Sequence, residues 1–413
     1  MTNPLLDGLR VIDLSRLLPG PFCTLYLAQL GADVIKIEEP NGGDYTRSLL
    51  PELFELVNRG KKSVTLDLRQ ADAVEALKQL IVDADVLVES FRPGVMDKLG
   101  LGYDALKAIN PRLVYASLTG YGHSGPYRDR AGHDMNYCAY AGALDQIGEA
   151  GGPPALSNVQ IADLAGGALT CATGLLAAVI GARSSGKGCF VDVAMLDGTL
   201  ALQTVAMATL RTHGQTQPRG GDMLTGALPN YGLYRCRDGG YIAVGALEPK
   251  FFTQLLRELW TLTPPSLRKT LEKLGGTRGG GQENPPPAKN GVRKKAQASS
   301  RLARMTDAAA SPAKARRMLA PARWALAAVF RLKSRDEWDR LLSDKDACIS
   351  PVLTLEEALR NEQVQSRELV EYLHGKPALR SPIRFIDADT RSGVAPKLGE
   401  HTQEVLGALR PHA

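Results

Sequence analysis

The chain has 413 residues, 44% hydrophobic and 23% charged, a composition that supports a soluble globular protein with a sizeable core. Its net charge of +6 is uneven: residues 261–330 hold fourteen Lys/Arg against three Asp/Glu, and the rest of the chain is acidic. That distribution excludes a protein basic over its whole surface, because the positive charge belongs to one segment.

Strand and helix signals alternate over the first 120 residues. RVIDL (10–14) is a short β run, and PGPFCTLYLAQLG (19–31) has helical spacing between a proline start and a glycine end. DVIKIE (33–38) and the alternating SVTLDL (63–68) read as strands. AVEALKQLIVDA (73–84) is an amphipathic helix before the strand DVLVES (85–90). YDALKAINP (103–111) is a helix stopped by Pro111, before the strand LVYASLTG (113–120). This order predicts an α/β fold with a parallel sheet wrapped by helices. LAGGALTCATGLLAAVIGA (164–182) carries no charge over 19 residues, nearly a bilayer span. Its Ala, Gly and Thr content and lack of flanking aromatics predict a fully buried core helix instead, with no membrane partner. GCFVDVAML (188–196) then reads as a strand running into a helix.

The texture changes after about residue 215. YGLYRCRDGGYIAVGAL (231–247) predicts a hairpin around Asp238-Gly239-Gly240, and KFFTQLLRELW begins a helix. The expected organisation is a large domain over 1–215, completed by 350–413, and a smaller α+β domain over 225–345. Residues 261–324 fit neither. TRGGGQENPPPAKNGVRKKAQASSRLARM is rich in Gly, Pro, Ala, Arg and Lys, the signature of a disordered basic insertion. Without interleaved aromatics to stack bases it does not read as a nucleic-acid tail. Out-of-frame GC-rich codons would give the same bias, which translating the DNA in the other frames tests. Ordered patterning is expected again from ALAAVFRLKSRDEWDRLL (325–342), then PVLTLEEAL (351–359).

Cys23, Cys138, Cys171, Cys189, Cys236 and Cys348 form no C-x-x-C pair. They predict a reducing, cytoplasmic setting and argue against a zinc site. The N-terminal sequence shows no secretory leader pattern.

Four features could carry chemistry. GYGHSG (120–125) matches G-x-G-x-x-G, but Pro126 and a charged loop follow where a dinucleotide site needs a helix. His133, in RAGHDMNY, is a structural histidine or a group that titrates near neutrality. Asp163, in QIADLAGG, is expected to cap the apolar helix, beside amides that could hold an oxyanion. Glu248, in GALEPKFF, lies between a strand and a helix. Arg59, Lys61, Lys62, Arg69 and Arg92, spaced over one α/β unit, could together bind phosphates.

Taken in order, DGLRVIDLSRLLPGPFCTLYLAQLGADVIKIEEPNGGDYTR, DVLVESFRPGVMDKLGLGY, NPRLVYASLTGYGHSGPY, SSGKGCFVDVAMLDG and DGGYIAVGALEPKFF resemble blocks of the family III CoA-transferases (CaiB/BaiF). Within them the chain is most similar to the α-methylacyl-CoA racemases. The resemblance covers most of 1–260 and 325–413. It implies a Rossmann-like large domain, a small domain and an interlocked homodimer acting on acyl-CoA, with no cofactor beyond the CoA of the substrate and no metal. It implies catalytic roles for His133, Asp163 and Glu248. It places CoA against Leu66, Asp67, Leu68 and Arg69, with Arg92 as a phosphate contact. The acyl end would meet Gly132, Asp134, Met135, Asn136 and Tyr137. Glu39 departs from the pattern, since some racemases have a basic residue before the proline that is Pro40 here.

The chemistry expected is interconversion of (R)- and (S)-2-methylacyl-CoA. An α-proton leaves one face and returns to the other, so two acid/base groups must flank the carbon. His133 and Asp163 would be that pair, with Glu248 orienting His133 and amides at the Asp163 helix start holding the thioester oxygen. The alternative is CoA transfer between carboxylic acids, with Asp163 as nucleophile forming a mixed anhydride. A third reading is a CoA- or nucleic-acid-binding protein without catalysis.

Overall fold

The computed structural model describes residues 4–265, 268 and 312–409. The chain forms two compact units. One comprises Met1–Leu144, Leu156–Gln203 and Leu359–Ala413; the other comprises Asp145–Ala155 and Thr204–Ala358.

The first unit is built on six parallel strands: β1 (Arg10–Asp13), β2 (Asp33–Glu38), β3 (Lys62–Thr65), β4 (Val86–Glu89), β5 (Val114–Thr119) and β6 (Phe190–Ala194). Their spatial order is β3-β2-β1-β4-β5-β6. This is the doubly wound order, whose direction of winding reverses between β1 and β4. Each central strand is apolar on both faces, as helices on both sides require. Val11, Val34, Val86, Val88 and Val114 pack with Leu27, Cys171, Leu175 and Val179 on one side. Ile12, Ile35, Leu87 and Tyr115 pack with Leu77, Leu80, Ile81 and Leu106 on the other. At the usual ~25 cal/mol per Å² of apolar burial, these two layers are the main stabilising term of the unit.

The helices Pro19–Gln29, Ala71–Val82 and Tyr103–Ile109 lie where periodicity and proline stops predict. Residues 63–68 are a shorter strand than expected, since β3 ends at Thr65. The apolar helix corrects a prediction. Ala162–Ser185 is long and apolar enough to cross a membrane by length and composition. It is not fully buried: Cys171, Leu175, Val179 and Ala182 face the core, while Leu169, Thr173, Ala177 and Ile180 are exposed. Its first eight residues, Ala162–Leu169, form a π-helical segment. The segment lies hard against the helix Met195–Ala201. A Cβ on Gly198 would sit 1.9 Å from the Gly166 carbonyl oxygen, so glycine is required there.

The C-terminal part of this unit returns to its edge strand. His401 Nδ1 accepts the Ser63 amide at 3.3 Å, and Thr402 Oγ1 accepts the Thr65 amide at 3.0 Å. The Gly60 amide donates to the Val394 carbonyl at 2.9 Å.

In the second unit, β7 (Tyr231–Arg235) and β8 (Tyr241–Gly245) form the predicted antiparallel hairpin, and β9 (Ile349–Pro351) adds to β8. Trp338, Phe330, Leu255 and Leu259 fill its core, and Trp338 Nε1 donates to the Phe330 carbonyl at 2.8 Å. Residues 312–324, expected to belong to the atypical basic segment, instead begin a helix that runs from Pro312 to Phe330. The expectations of an insertion, of disorder or of a frameshift cover 261–324, of which 266–267 and 269–311 lie outside the described residues.

Candidate active site

A cavity of about 600 Å³ opens in the first unit, lined by residues that follow β1, β4 and β5. Those strand ends flank the point where the sheet reverses direction, the place where open α/β sheets bind ligands. Arg16 and Leu17 come from the end of β1, Ser90 to Pro93 from the end of β4, and Leu118 to Tyr121 from the end of β5. His133, Asn136, Tyr137 and Asp163 complete the wall, with Gly132, Arg128 and Arg130.

Of the residues singled out from the sequence, the structure therefore brings His133, Asp163, Arg92, Gly132, Asn136 and Tyr137 to one cavity. His133 is the N-cap of a seven-residue helix, Asp134–Tyr140, and its amide donates to Asn136 Oδ1 at 3.0 Å. The His133 backbone is thereby fixed at a helix start, and the residue remains exposed. Tyr137 is buried against Gly120 and Gly132, where any Cβ would strike its ring, and its hydroxyl donates to the Gly132 carbonyl.

Asp163 sits inside the π-helical segment, at its second residue; the cap position belongs to Ile161. The amides beside it are not open to a substrate oxygen. Asp134 Oδ1 accepts the Ala162 amide at 2.7 Å and the Asp163 amide at 3.1 Å. The expected oxyanion hole at this helix start is thus occupied by a carboxylate, and Asp134 stands behind the wall rather than on it. This arrangement sets the charge of Asp163. Burial pushes its carboxyl up to about 7, and the neighbouring Asp134 adds to the rise.

Met135 is exposed and off the cavity wall. Leu66 to Arg69 are also off this wall: Leu66 belongs to the core, and exposed Arg69 pairs with Asp67 at 2.7 Å and Glu39 at 3.4 Å. Glu39 thus has a local partner in place of the basic residue of some racemases. Glu248 lies in the second unit, between β8 and the helix Pro249–Leu262.

The phosphate-binding reading of the cation set needs correcting. Lys61 is fully buried and bonded to Asp13 Oδ2, Thr24 Oγ1 and Asn58 Oδ1 at 2.7–3.1 Å. Arg59 is buried beside Glu371 at 3.5 Å, and Lys62 pairs with Asp33 and Glu404. Arg92 alone of the five reaches the cavity. Sequence reading missed Arg16, Arg128 and Arg130 as its companions. Arg130 is held over the Tyr127 ring at 3.8 Å and bonds Tyr140 Oη at 2.9 Å. Alternating basic and aromatic residues in YRDRAGHDMNYCAY were the available signal. Leu17 was also missed: it holds a left-handed φ of 66°, and its amide donates to Asp44 Oδ1 at 3.1 Å.

A near-neutral carboxyl and an imidazole share a cationic cavity at a sheet switch point, the equipment of an enzyme that handles anionic acyl substrates. The chain belongs to CoA-transferase family III, whose profile matches residues 6–269 and 291–402. The match extends into the basic segment, beyond the blocks that carry the resemblance in the sequence. The chain is 35% identical over 409 residues to the alpha-methylacyl-CoA racemase of Homo sapiens, spanning 97% of this chain and 92% of that protein. It is 30% identical over 434 residues to the formyl-CoA:oxalate CoA-transferase of Rhodopseudomonas palustris, with the same two coverages. A crystal structure of a CaiB/BaiF family protein from Brucella suis superposes with a TM-score of 0.78 at 31% identity, covering 99% of this chain and 100% of that one.

Proposed function

We propose that this protein is a 2-methylacyl-CoA racemase, with His133 and Asp163 as the two acid/base groups. The observation that carries the reading is the Asp163 carboxyl, pushed up to about 7 on the wall it shares with His133. A carboxyl half-protonated at neutral pH both takes and returns a proton, as racemisation requires. A transferase nucleophile needs the ionised form, which this environment disfavours. The transferase relatives keep CoA transfer as the second reading. In the racemase reading one group removes the α-proton and the other protonates the opposite face of the enolate. The guanidiniums of Arg16, Arg92, Arg128 and Arg130 give the cavity positive potential for CoA phosphates and enolate charge. The roles of Glu248 as a third catalytic residue and of Leu66–Arg69 as CoA contacts rest on the family resemblance. No cofactor is needed beyond the CoA of the substrate.

The same proposal includes a homodimer, supported by the exposed apolar face Leu169, Thr173, Ala177 and Ile180. A cytoplasmic setting is supported by six free thiols. The experiment is α-proton exchange of (S)-2-methylacyl-CoA in D2O, followed by NMR and chiral analysis. Deuterium gain with epimerisation, lost in His133→Ala and in Asp163→Ala, is the expected result. CoA movement to an added carboxylate, dependent on Asp163 alone, would replace racemisation by transfer.

A further inference from the structure

Two loops of the cavity wall are joined from behind by a chain of polar groups that runs from buried Glu89 and Ser117 to half-buried His123 and exposed Asp192. Glu89 ends β4 at 2% exposure. Its Oε2 accepts the Phe91 amide at 2.7 Å, fixing the turn that delivers Arg92 to the cavity. Across the sheet Glu89 is in register with Ser117 on β5, and Ser117 with Asp192 on β6. Ser117 stands beside the Glu89 carboxyl across the sheet and lowers its pKa, and its Oγ lies 2.7 Å from His123 Nε2. His123 is the histidine of GYGHSG. Its amide donates to Asp192 Oδ2 at 3.1 Å, and its ring stands edge-on to Phe190 at 5.0 Å. Gly122, at φ 81°, lets the loop double back to place it there. The glycine-rich motif therefore serves to bring an imidazole behind the cavity wall.

We propose that Glu89 is a positioning residue: with Ser117 and His123 it clamps the loop after β4 to the loop after β5, and so holds Arg92 and the Thr119–Tyr121 wall in place to bind acyl-CoA. The inference rests on the acyl-CoA reading above. A buried carboxyl is costly, and this one stands where two cavity loops diverge. Burial pushes it up to about 7, with Asp97 and Asp192 adding negative charge against Ser117 and the Phe91 amide, which lower it. The Tyr115 phenol also faces it and is itself pushed up, first by burial and then by Glu89. His123 is held below its usual range by burial and Arg128, against Asp192 and Asp97, so it stays neutral near pH 7. Ionised Glu89 accepts stronger hydrogen bonds than protonated Glu89, so the clamp tightens as pH rises through neutrality.

The test titrates free CoA into the full-length protein by calorimetry at pH 6 and pH 8, in Asp163→Asn and in Asp163→Asn/Glu89→Gln. Removing Asp163 silences the other near-neutral acid, and titration of the CoA phosphate is common to both arms. Between the two pH values, affinity should rise about threefold more in the arm that keeps Glu89 than in the Glu89→Gln arm, which has no carboxyl to ionise. Glu89→Ala should raise KM about tenfold, a larger factor than its fall in kcat, and Glu89→Gln should recover most of that KM at pH 6. Equal pH ratios in both arms, or a Glu89→Ala protein that loses only thermal stability, would overturn the clamp. Wild-type protein that binds no CoA would sink the acyl-CoA reading and the clamp with it.

Discussion

Asp13 and Asp163 are both withdrawn from water in the same unit, and they end in opposite states. Burial pushes the Asp13 carboxyl up, but Lys61, Lys36 and the Ser15 and Thr24 hydroxyls outweigh it and hold it at about 2. For Asp163 burial is joined by the charge of Asp134, which adds to the rise, so it stands at about 7. The difference shows what desolvation alone provides and what desolvation with counter-charges provides. The first makes a proton carrier; the second makes a permanently charged strut between β1 and the Pro19–Gln29 helix.

The largest effect expected from breaking this contrast is at Asp163. Replacing it with Asn should lower α-proton exchange by about 10²–10⁴-fold, read by NMR in D2O, while melting curves show a folded protein. Next comes Asp13→Asn, which leaves Lys61 buried without its carboxylate. Its cost should be about 3–5 kcal/mol in urea unfolding. Glu89 sharpens the comparison. Its folded-state value of about 7 stands above the ordinary 4.5, so the folded protein keeps a proton that the unfolded chain releases. That contribution to stability is therefore lost as pH rises from 4.5 to 7 and stays flat above. Glu89→Gln should be more stable than wild type by about 1–3 kcal/mol at pH 8 and equal to it near pH 4.5, measured by urea unfolding at both values. The smallest effect is expected from Asp134→Asn. It keeps an acceptor for the two amides and removes the neighbouring charge, so the Asp163 limb of the rate–pH profile should move to lower pH.

The sheet was legible because β-branched runs such as VIDL, DVIKIE and DVLVES alternate with helical spacing and are closed by Gly and Pro. His133, Asp163 and Arg92 were legible as candidates because they lie in recognisable blocks. What the residues could not show depends on partners distant in the chain. Lys61 looks like a solvated cation until Asp13, 48 positions earlier, is placed beside it. The amides of Ala162 and Asp163 look open until Asp134, 28 positions before Ala162, closes them. The π-helical winding of Ala162–Leu169 has no hydrophobic period of its own. It accompanies close packing at Gly166 and Gly198, which local propensity does not report.

The return of residues 391–402 to β3 has a consequence for how the protein is made. Ribosomes release the strands first, and the second unit must emerge before the segment that covers the sheet's outer edge. During that interval the Lys62–Thr65 edge carries unsatisfied Ser63 and Thr65 amides, the kind of edge on which another strand can add. The last part of the chain thus acts as a late-arriving seal, and a ribosome stalled before residue 391 would hold a nascent chain prone to self-association.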